Sequence, residues 1–285
     1  MNREAIGRLV HWHNHHTPLP RGRALLALLA QRLGAVPREA PAARLAGGIR
    51  MDLRPHDFID GLVYFNNMDP EVGRAIRERV RPGSCAWDVG ANIGYYTLLL
   101  ARAGGAVEAF EPDPDNRARL EANVRLNGLD GSIRIHDLAL ADREGEGVLQ
   151  TVAGDHGESS IAPRSIHDSA RVRPRACRLA TADALVASGR LRAPDFVKVD
   201  VEGAELLVLR GARSTIEAAR PPLVCELNAR AQAAFGYGPA DLVRELADRG
   251  YVAWLLTKHG RPIPLNPDRA AGVSFGNALF VSAAG

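Results

Sequence analysis

A chain of 285 residues, 46% apolar and 24% charged, is long enough for one large domain or two modest ones, and its composition excludes the disordered and fibrous classes. Its net charge is +3, and every basic residue is an arginine except Lys198 and Lys258. The arginines are spread along the whole chain rather than clustered, which argues against an electrostatic footprint for nucleic acid.

The N-terminal sequence MNREAIGRLVHWHNHHTPLP lacks the charged, apolar, small-residue order of a secretory signal, and the run ALLALLAQRL from Ala24 is too short to span a bilayer. The three cysteines, Cys85, Cys177 and Cys225, have no metal or redox spacing, so buried thiols in a reducing, cytoplasmic compartment are expected. Residues 1–48 predict a helical extension, with two short helices broken by TPLPRG and then a linker of Pro and Ala. HWHNHH lies there with no carboxylate nearby and predicts a polar helix face rather than a metal site. Residues 49–82 predict a strand and a helix leading into RPG.

From there on, short apolar runs alternate with segments of helical period, the signature of a parallel sheet with helices on both faces. Strands are predicted at 84–89, 106–110, 132–136, 195–200, 222–227, 251–256 and 277–282. Helices are predicted at 93–103, 114–127, 181–188, 203–218 and 239–249. The last two strands have no useful helix between them and should pair antiparallel. The expectation is an α/β, Rossmann-like, seven-stranded doubly wound sheet with an antiparallel last strand at one edge. The stretch 139–180 is too long for a simple crossover, and its polar part, about 152–178, predicts a substrate loop.

Ligands of open α/β sheets bind beyond the carboxyl ends of the strands. Five strands end in acidic residues here: Asp88, Glu111, Asp137, Asp200 with Glu202, and Glu226 with Asn228. Acidic helix caps are common singly, but five in register point to a site that favours positive charge or hydroxyl donors. The first turn, DVGANIGYY, departs from the G-x-G-x-x-G pattern: Asn92 stands for its second glycine and Tyr95 for its third. The turn is tight without being shaped for a pyrophosphate, and Glu111 closes the second strand where a carboxylate accepts both hydroxyls of a ribose. This combination suits a nucleoside cofactor without phosphates, S-adenosylmethionine being the common one.

The segments WDVGANIGYYTLLLARAGGAVEAFEPDPDNRARLEANVRLNGL, TADALV, FVKVDVEGAELLVLRGA and RPPLVCELN resemble the FkbM family of S-adenosylmethionine-dependent methyltransferases over about residues 48–228. The resemblance implies a class I methyltransferase domain over 49–285 that methylates a hydroxyl of a saccharide or secondary metabolite. It implies that Asp88, Gly90, Asn92 and Gly94 hold the methionine side of the cofactor and Glu111 its ribose, with Asp137 and Ala139 beside the adenine. Where the family often has Thr-Leu-Asp, this chain has Thr181, Ala182 and Asp183, a stretch that also fits a plain helix start.

Methyl transfer to an alcohol needs two aligned substrates and a base for the hydroxyl proton. Asp200 is the first candidate base, Glu226 the second and His156, in the long loop, the third. Lys198 lies two residues before Asp200, so strand alternation points both to one face, where an ammonium keeps the carboxylate ionised; a purely structural ion pair is the rival reading. Glu202 and Glu205 open a helix, where its dipole favours acidic residues. Asp200, Glu202 and Glu226 are also of the type that holds a divalent cation; since cofactor binding alone accounts for acidic strand ends, no metal is predicted. Acceptor contacts are expected from Tyr64, Asn66, His156, Ser159 and Glu202.

An RNA methyltransferase is the alternative, because LEANVRLNGL also looks like segments of some RNA-modifying enzymes. The chain has no Asn-Pro-Pro-Tyr type motif and no basic stripe interleaved with aromatics. A small-molecule acceptor, with neither nucleic acid nor a membrane span, is therefore the expectation. A catalytically idle scaffold is the third reading, against which Asn92, Glu111, Lys198 and Asp200 all argue.

Overall fold

The computed structural model describes residues 3–16, 23–152, 155–162, 172–258 and 260–283. Helices α1 (Arg3–His16) and α2 (Arg23–Arg32) precede an antiparallel hairpin of β1 (Ala40–Arg44) and β2 (Arg50–Leu53). The stretch expected as a Pro and Ala linker is therefore a strand, and its Ala42 amide donates to Asp52 Oδ1 at 2.7 Å. Two helices follow in place of the single one expected, α3 (Phe58–Tyr64) and α4 (Pro70–Arg79). They are separated because Asn66 and Asp69 adopt positive φ and Pro70 suits only a first turn.

Two βα units come next: β3 (Cys85–Val89), α5 (Tyr95–Arg102), β4 (Ala106–Phe110) and α6 (Pro114–Asn127), leading to β5 (Ile133–His136). Asp113 caps α6 by accepting the Asp115 amide at 2.8 Å, and Gly128 ends the helix in the left-handed conformation. The long insertion is an ordered sheet in its described part: β6 (Ala139–Leu140), β7 (Gly145–Val152), β8 (Asp155–Ser160) and β9 (Val172–Ala180), in the order β6-β9-β7-β8. Its small core consists of Ala141, Leu149, Cys177 and Leu179. Residues 153–154 and 163–171 of the predicted substrate loop lie outside the described residues.

The chain then returns through α7 (Ala182–Ala187), β10 (Phe196–Val199), α8 (Glu205–Gly211), α9 (Arg213–Ala219), β11 (Leu223–Asn228), α10 (Ala229–Ala233), α11 (Pro239–Ala247), β12 (Tyr251–Leu255), β13 (Ile263–Leu265), α12 (Pro267–Ala270) and β14 (Phe275–Ser282). The central sheet runs β13-β12-β14-β11-β10-β3-β4-β5. The five strands from β11 to β5 are parallel, while β14 runs antiparallel to both β11 and β12. The reversed strand therefore does not form the edge as expected but is inserted one place inward, and β13 adds an eighth strand outside β12. Burial accounts for the placement: Ala278, Leu279 and Phe280 of β14 are all buried, whereas β12 is half-exposed beyond Tyr251.

Strand alternation divides the core. Trp87, Val89, Val197, Val199, Cys225 and Leu227 pack on one face, and Ala86, Val107, Ala109, Phe196 and Val224 on the other. All three cysteine thiols are free and buried. Among the described residues, no helix is long and apolar enough to cross a membrane. The chain turns one way from β3 to β5 and the other way at β10, so the crevice between the carboxyl ends of β3 and β10 is the topological switch point.

Candidate active site

The turn after β3 folds back on its neighbour because the Gly90 and Ala91 amides both donate to Phe110 O, at 3.1 and 3.0 Å. Gly90 is required there. Its φ is +85°, and a Cβ would lie 1.8 Å from the backbone oxygen of Asp200. The turn and the end of β10 thus touch backbone to backbone. Glu111, at the end of β4, accepts the Asn92 amide on Oε2 at 2.7 Å and the Asp113 amide on Oε1 at 2.8 Å. Burial raises its pKa to about 7, against the lowering effect of those two amide donors. Asn92 Oδ1 is buried with no hydrogen-bond partner among the described residues, so the cradle presents a polar atom without a mate there.

Beside this cradle lies an acidic cluster on the sheet face that packs against α5. Asp88 is fully buried, accepts Thr97 Oγ1 at 2.6 Å and pairs in register with Lys198. Lys198 is 1% exposed; its Nζ donates to Asp200 Oδ2 at 2.8 Å and lies 4.3 Å from the centre of the Tyr96 ring. Burial acts to lower the lysine pKa, but the Asp200, Asp88 and Glu226 carboxylates outweigh it and hold the pKa above its ordinary value. The Asp200 side chain of this ion pair is 20% exposed, and Asp200 lines the crevice.

One carboxylate oxygen from each of Asp200, Glu202 and Glu226 lies within 4.8 Å of the others. Glu226 is buried, and burial, then Asp200, Glu202 and Glu205, push its pKa well above the usual carboxylate range. Glu202 sits at a φ of +52° and its backbone oxygen accepts Ser160 Oγ at 2.7 Å. Glu205 faces inward instead: it accepts the Val201 and Gly203 amides and Gln232 Nε2, at 3.2, 3.1 and 3.1 Å.

These groups surround a cavity of about 360 Å³ at the switch point. Of the residues singled out in the sequence, Gly90, Asn92, Glu111, Ala139, Ser159, Asp200, Glu202 and Glu226 line it. Asp88, Gly94 and Lys198 stand behind the wall: Asp88 and Lys198 are buried, and Gly94 packs against Leu120. Asp137 points away to a salt bridge with Arg117 at 2.7 Å, mostly exposed, and its neighbours Leu138, Ala139 and Leu140 line the wall instead.

Tyr64 and Asn66 do not reach the cavity either. The buried Tyr64 ring stacks on His11 at 4.3 Å, and Asn66 Nδ2 donates to Asn14 O at 2.8 Å. His11 and His15 both contact Tyr64 O, at 2.7 and 3.0 Å, so HWHNHH joins α1 to α3 rather than facing solvent as a polar stripe. His156 lies on β8, and its side chain is outside the described residues. Asp183 caps α9, receiving the Ser214 and Thr215 amides at 2.9 and 2.8 Å, while Thr181 caps α7.

Asn67, of the Tyr64 to Asn67 cluster whose aromatic and amide character suits a sugar, does line the cavity; sequence reasoning missed Phe58, Met68 and Phe275, which also line it, and Asp69, whose carboxylate accepts the Tyr96 hydroxyl at 2.9 Å. The Asp-Pro step at Asp69 was the one available signal, since it marks a helix start whose preceding turn projects towards the crevice.

Comparison with known proteins gives the site a family. A profile described as Methyltransferase FkbM domain matches residues 88–253. The hexuronic acid methyltransferase AglP of Haloferax volcanii is 31% identical over 182 residues, which are 63% of this chain and 68% of AglP. The 31-O-demethyl-FK506 methyltransferase FkbM of Streptomyces tacrolimicus is 41% identical over 68 residues, 23% of this chain and 25% of that protein. Among solved structures, the methyltransferase FkbM of Methylobacillus flagellatus aligns at a TM-score of 0.44 and 20% identity, over 78% of this chain and 54% of that one. With the profile match spanning more than half its length, the chain belongs to the FkbM methyltransferase family.

Proposed function

We propose that the protein is an S-adenosylmethionine-dependent O-methyltransferase whose acceptor is a hydroxyl of a saccharide or secondary metabolite. The observation that carries this reading is that Glu111 and Asp200 line one cavity, with the Gly90 turn packed against the Asp200 backbone. The residues present fit the cofactor: the glycine leaves room no side chain would, Asn92 Oδ1 lacks a partner among the described residues, and Glu111 ends the strand beside it. The relatives support the acceptor class, one being a hexuronic acid methyltransferase and the other acting on 31-O-demethyl-FK506.

When bound, the cofactor supplies an electrophilic methyl group on a positively charged sulfur. Glu111 accepts the ribose hydroxyls, and its amide-held carboxylate is oriented in advance. Leu138, Ala139 and Leu140 form the apolar wall for the adenine. Asp200 takes the acceptor's hydroxyl proton, with Lys198 Nζ donating to Oδ2 and fixing its orientation. Lys198 acts through Asp200 and positions it, because its own nitrogen is buried. Residues of the lead-in helix α3 and of the inserted sheet add apolar lining, among them Phe58, Leu62 and Leu149.

Incubation with isotopically labelled S-adenosylmethionine and a panel of glycosides, uronic acids and hydroxylated natural products, read by mass spectrometry, tests this. Label transfer to an acceptor oxygen is expected. In Asp200→Asn, turnover should fall on the order of 10²-fold or more while cofactor affinity is largely kept. Unchanged turnover in that variant would remove Asp200 from the mechanism.

A further inference from the structure

We propose that the carboxylates of Asp200, Glu202 and Glu226 hold a divalent cation of the oxygen-seeking magnesium or manganese class inside the cavity. The three donors come from separate places, the end of β10, the turn after it and β11, yet one oxygen of each lies within 4.8 Å of the others. A second observation points the same way. Glu226 is 8% exposed, and its Oε2 is buried with no hydrogen-bond partner among the described residues. A buried carboxylate oxygen normally has a donor, and Glu226 lines the same cavity as the other two carboxylates, clustered with them.

Lys198 faces Glu226 with positive charge, whereas Asp200, Glu202 and Glu205 face it with the opposite sign. Glu205 is already held by two backbone amides and Gln232, which leaves Asp200, Glu202 and Glu226 as the clustered donors. The donor set is all oxygen, without histidine or cysteine, which selects a hard cation over zinc or copper.

The ion's part in transfer rests on the methyl-transfer reading above; its binding does not. At this place it would meet the acceptor oxygen, lower the pKa of that hydroxyl and so ease passage of its proton to the carboxylate cluster. The methyl step itself is unchanged.

The test uses the full chain stripped with EDTA and titrated with Mn²⁺, with free ion followed by electron paramagnetic resonance. Saturable uptake of a single ion per chain is expected, weakened on the order of tenfold or more in both Glu226→Gln and Glu202→Gln. Both variants keep the side-chain shape, and circular dichroism verifies that they fold. S-adenosylmethionine affinity, measured without metal on the same samples, should stay within about twofold, since the ribose contact at Glu111 is untouched. No uptake at millimolar Mn²⁺, or uptake indifferent to both substitutions, overturns the site. Uptake by a chain that binds no S-adenosylmethionine keeps the cation site and overturns the methyl-transfer reading.

Discussion

Glu111 shows how one side chain couples the site to pH. Its two oxygens are pinned by the amides of Asn92 and Asp113, and burial lifts its pKa to about 7. Between the ordinary glutamate range and pH 7, the native state therefore binds a proton that the unfolded chain has released. Stability should fall as pH rises through that window, by on the order of 3 kcal/mol, and lose nothing further from this group above it. Thermal melts from pH 4.5 to 8 should show this slope, and Glu111→Gln should flatten it. Cofactor binding has the opposite dependence, because the charged carboxylate is the better acceptor for ribose hydroxyls; affinity should weaken as pH drops below 7. In Glu111→Ala the loss should be about 1–3 kcal/mol by calorimetry. The position of Glu111 was legible in the sequence, from an acidic residue closing a strand after a glycine turn. Its raised pKa was not, since burial depends on which elements cover it.

The turn after β3 and the caps were legible for the same local reasons, and they carry the next expectations. Gly90→Ala puts a Cβ against a backbone oxygen that no rotamer change can relieve, at a φ that disfavours any side chain. A cost of about 3 kcal/mol or more is expected in urea unfolding. Asp183→Ala removes the cap of α9 and should cost about 1 kcal/mol. Burial would raise the Asp183 pKa, but donors from Thr215 and Ser214 outweigh it and the carboxyl titrates below its usual range. This stabilisation is thus present above the ordinary Asp range and is lost as pH falls through the depressed native value. Other elements escaped the sequence. The helix expected over 203–218 divides into α8 and α9 at Ala212, and the polar segment taken for a loop carries strands whose alternation is masked by arginines. Nothing in GEGVLQTV announces that its partner is VRPRACRLA some twenty-five residues on.

The N-terminal pieces and the sheet are bound into one body by side chains that reach across long stretches of sequence. Asn123 and Asn127 of α6 accept the amides of Asp52 and Arg50 on β2, both at 2.9 Å, and Arg119 is paired with the buried Asp60 of α3. Because α3 forms part of the cavity lining, this docking sets one wall of the site. Asp60→Ala leaves the Arg119 guanidinium, little exposed, without its carboxylate and should lower stability by about 3 kcal/mol in denaturant unfolding. The same measurement should still show a single transition if α3 and α6 unfold together.

Local chemistry was enough to mark the strands of the parallel sheet, the tight turn at Gly90 and Asn92, and the acidic strand ends, because period, glycine placement and charge are properties of neighbouring residues. Which of those ends share a cavity is a matter of strand order, and order follows from burying whole faces at once. The sheet brings Asp200, Glu202 and Glu226 together, sends Asp137 outward to Arg117 and ties Tyr64 to His11. The same packing placed β14 inside the sheet rather than at its edge. Contacts between residues dozens of positions apart are chosen by shape and burial over the whole core, and no stretch of the chain encodes them alone.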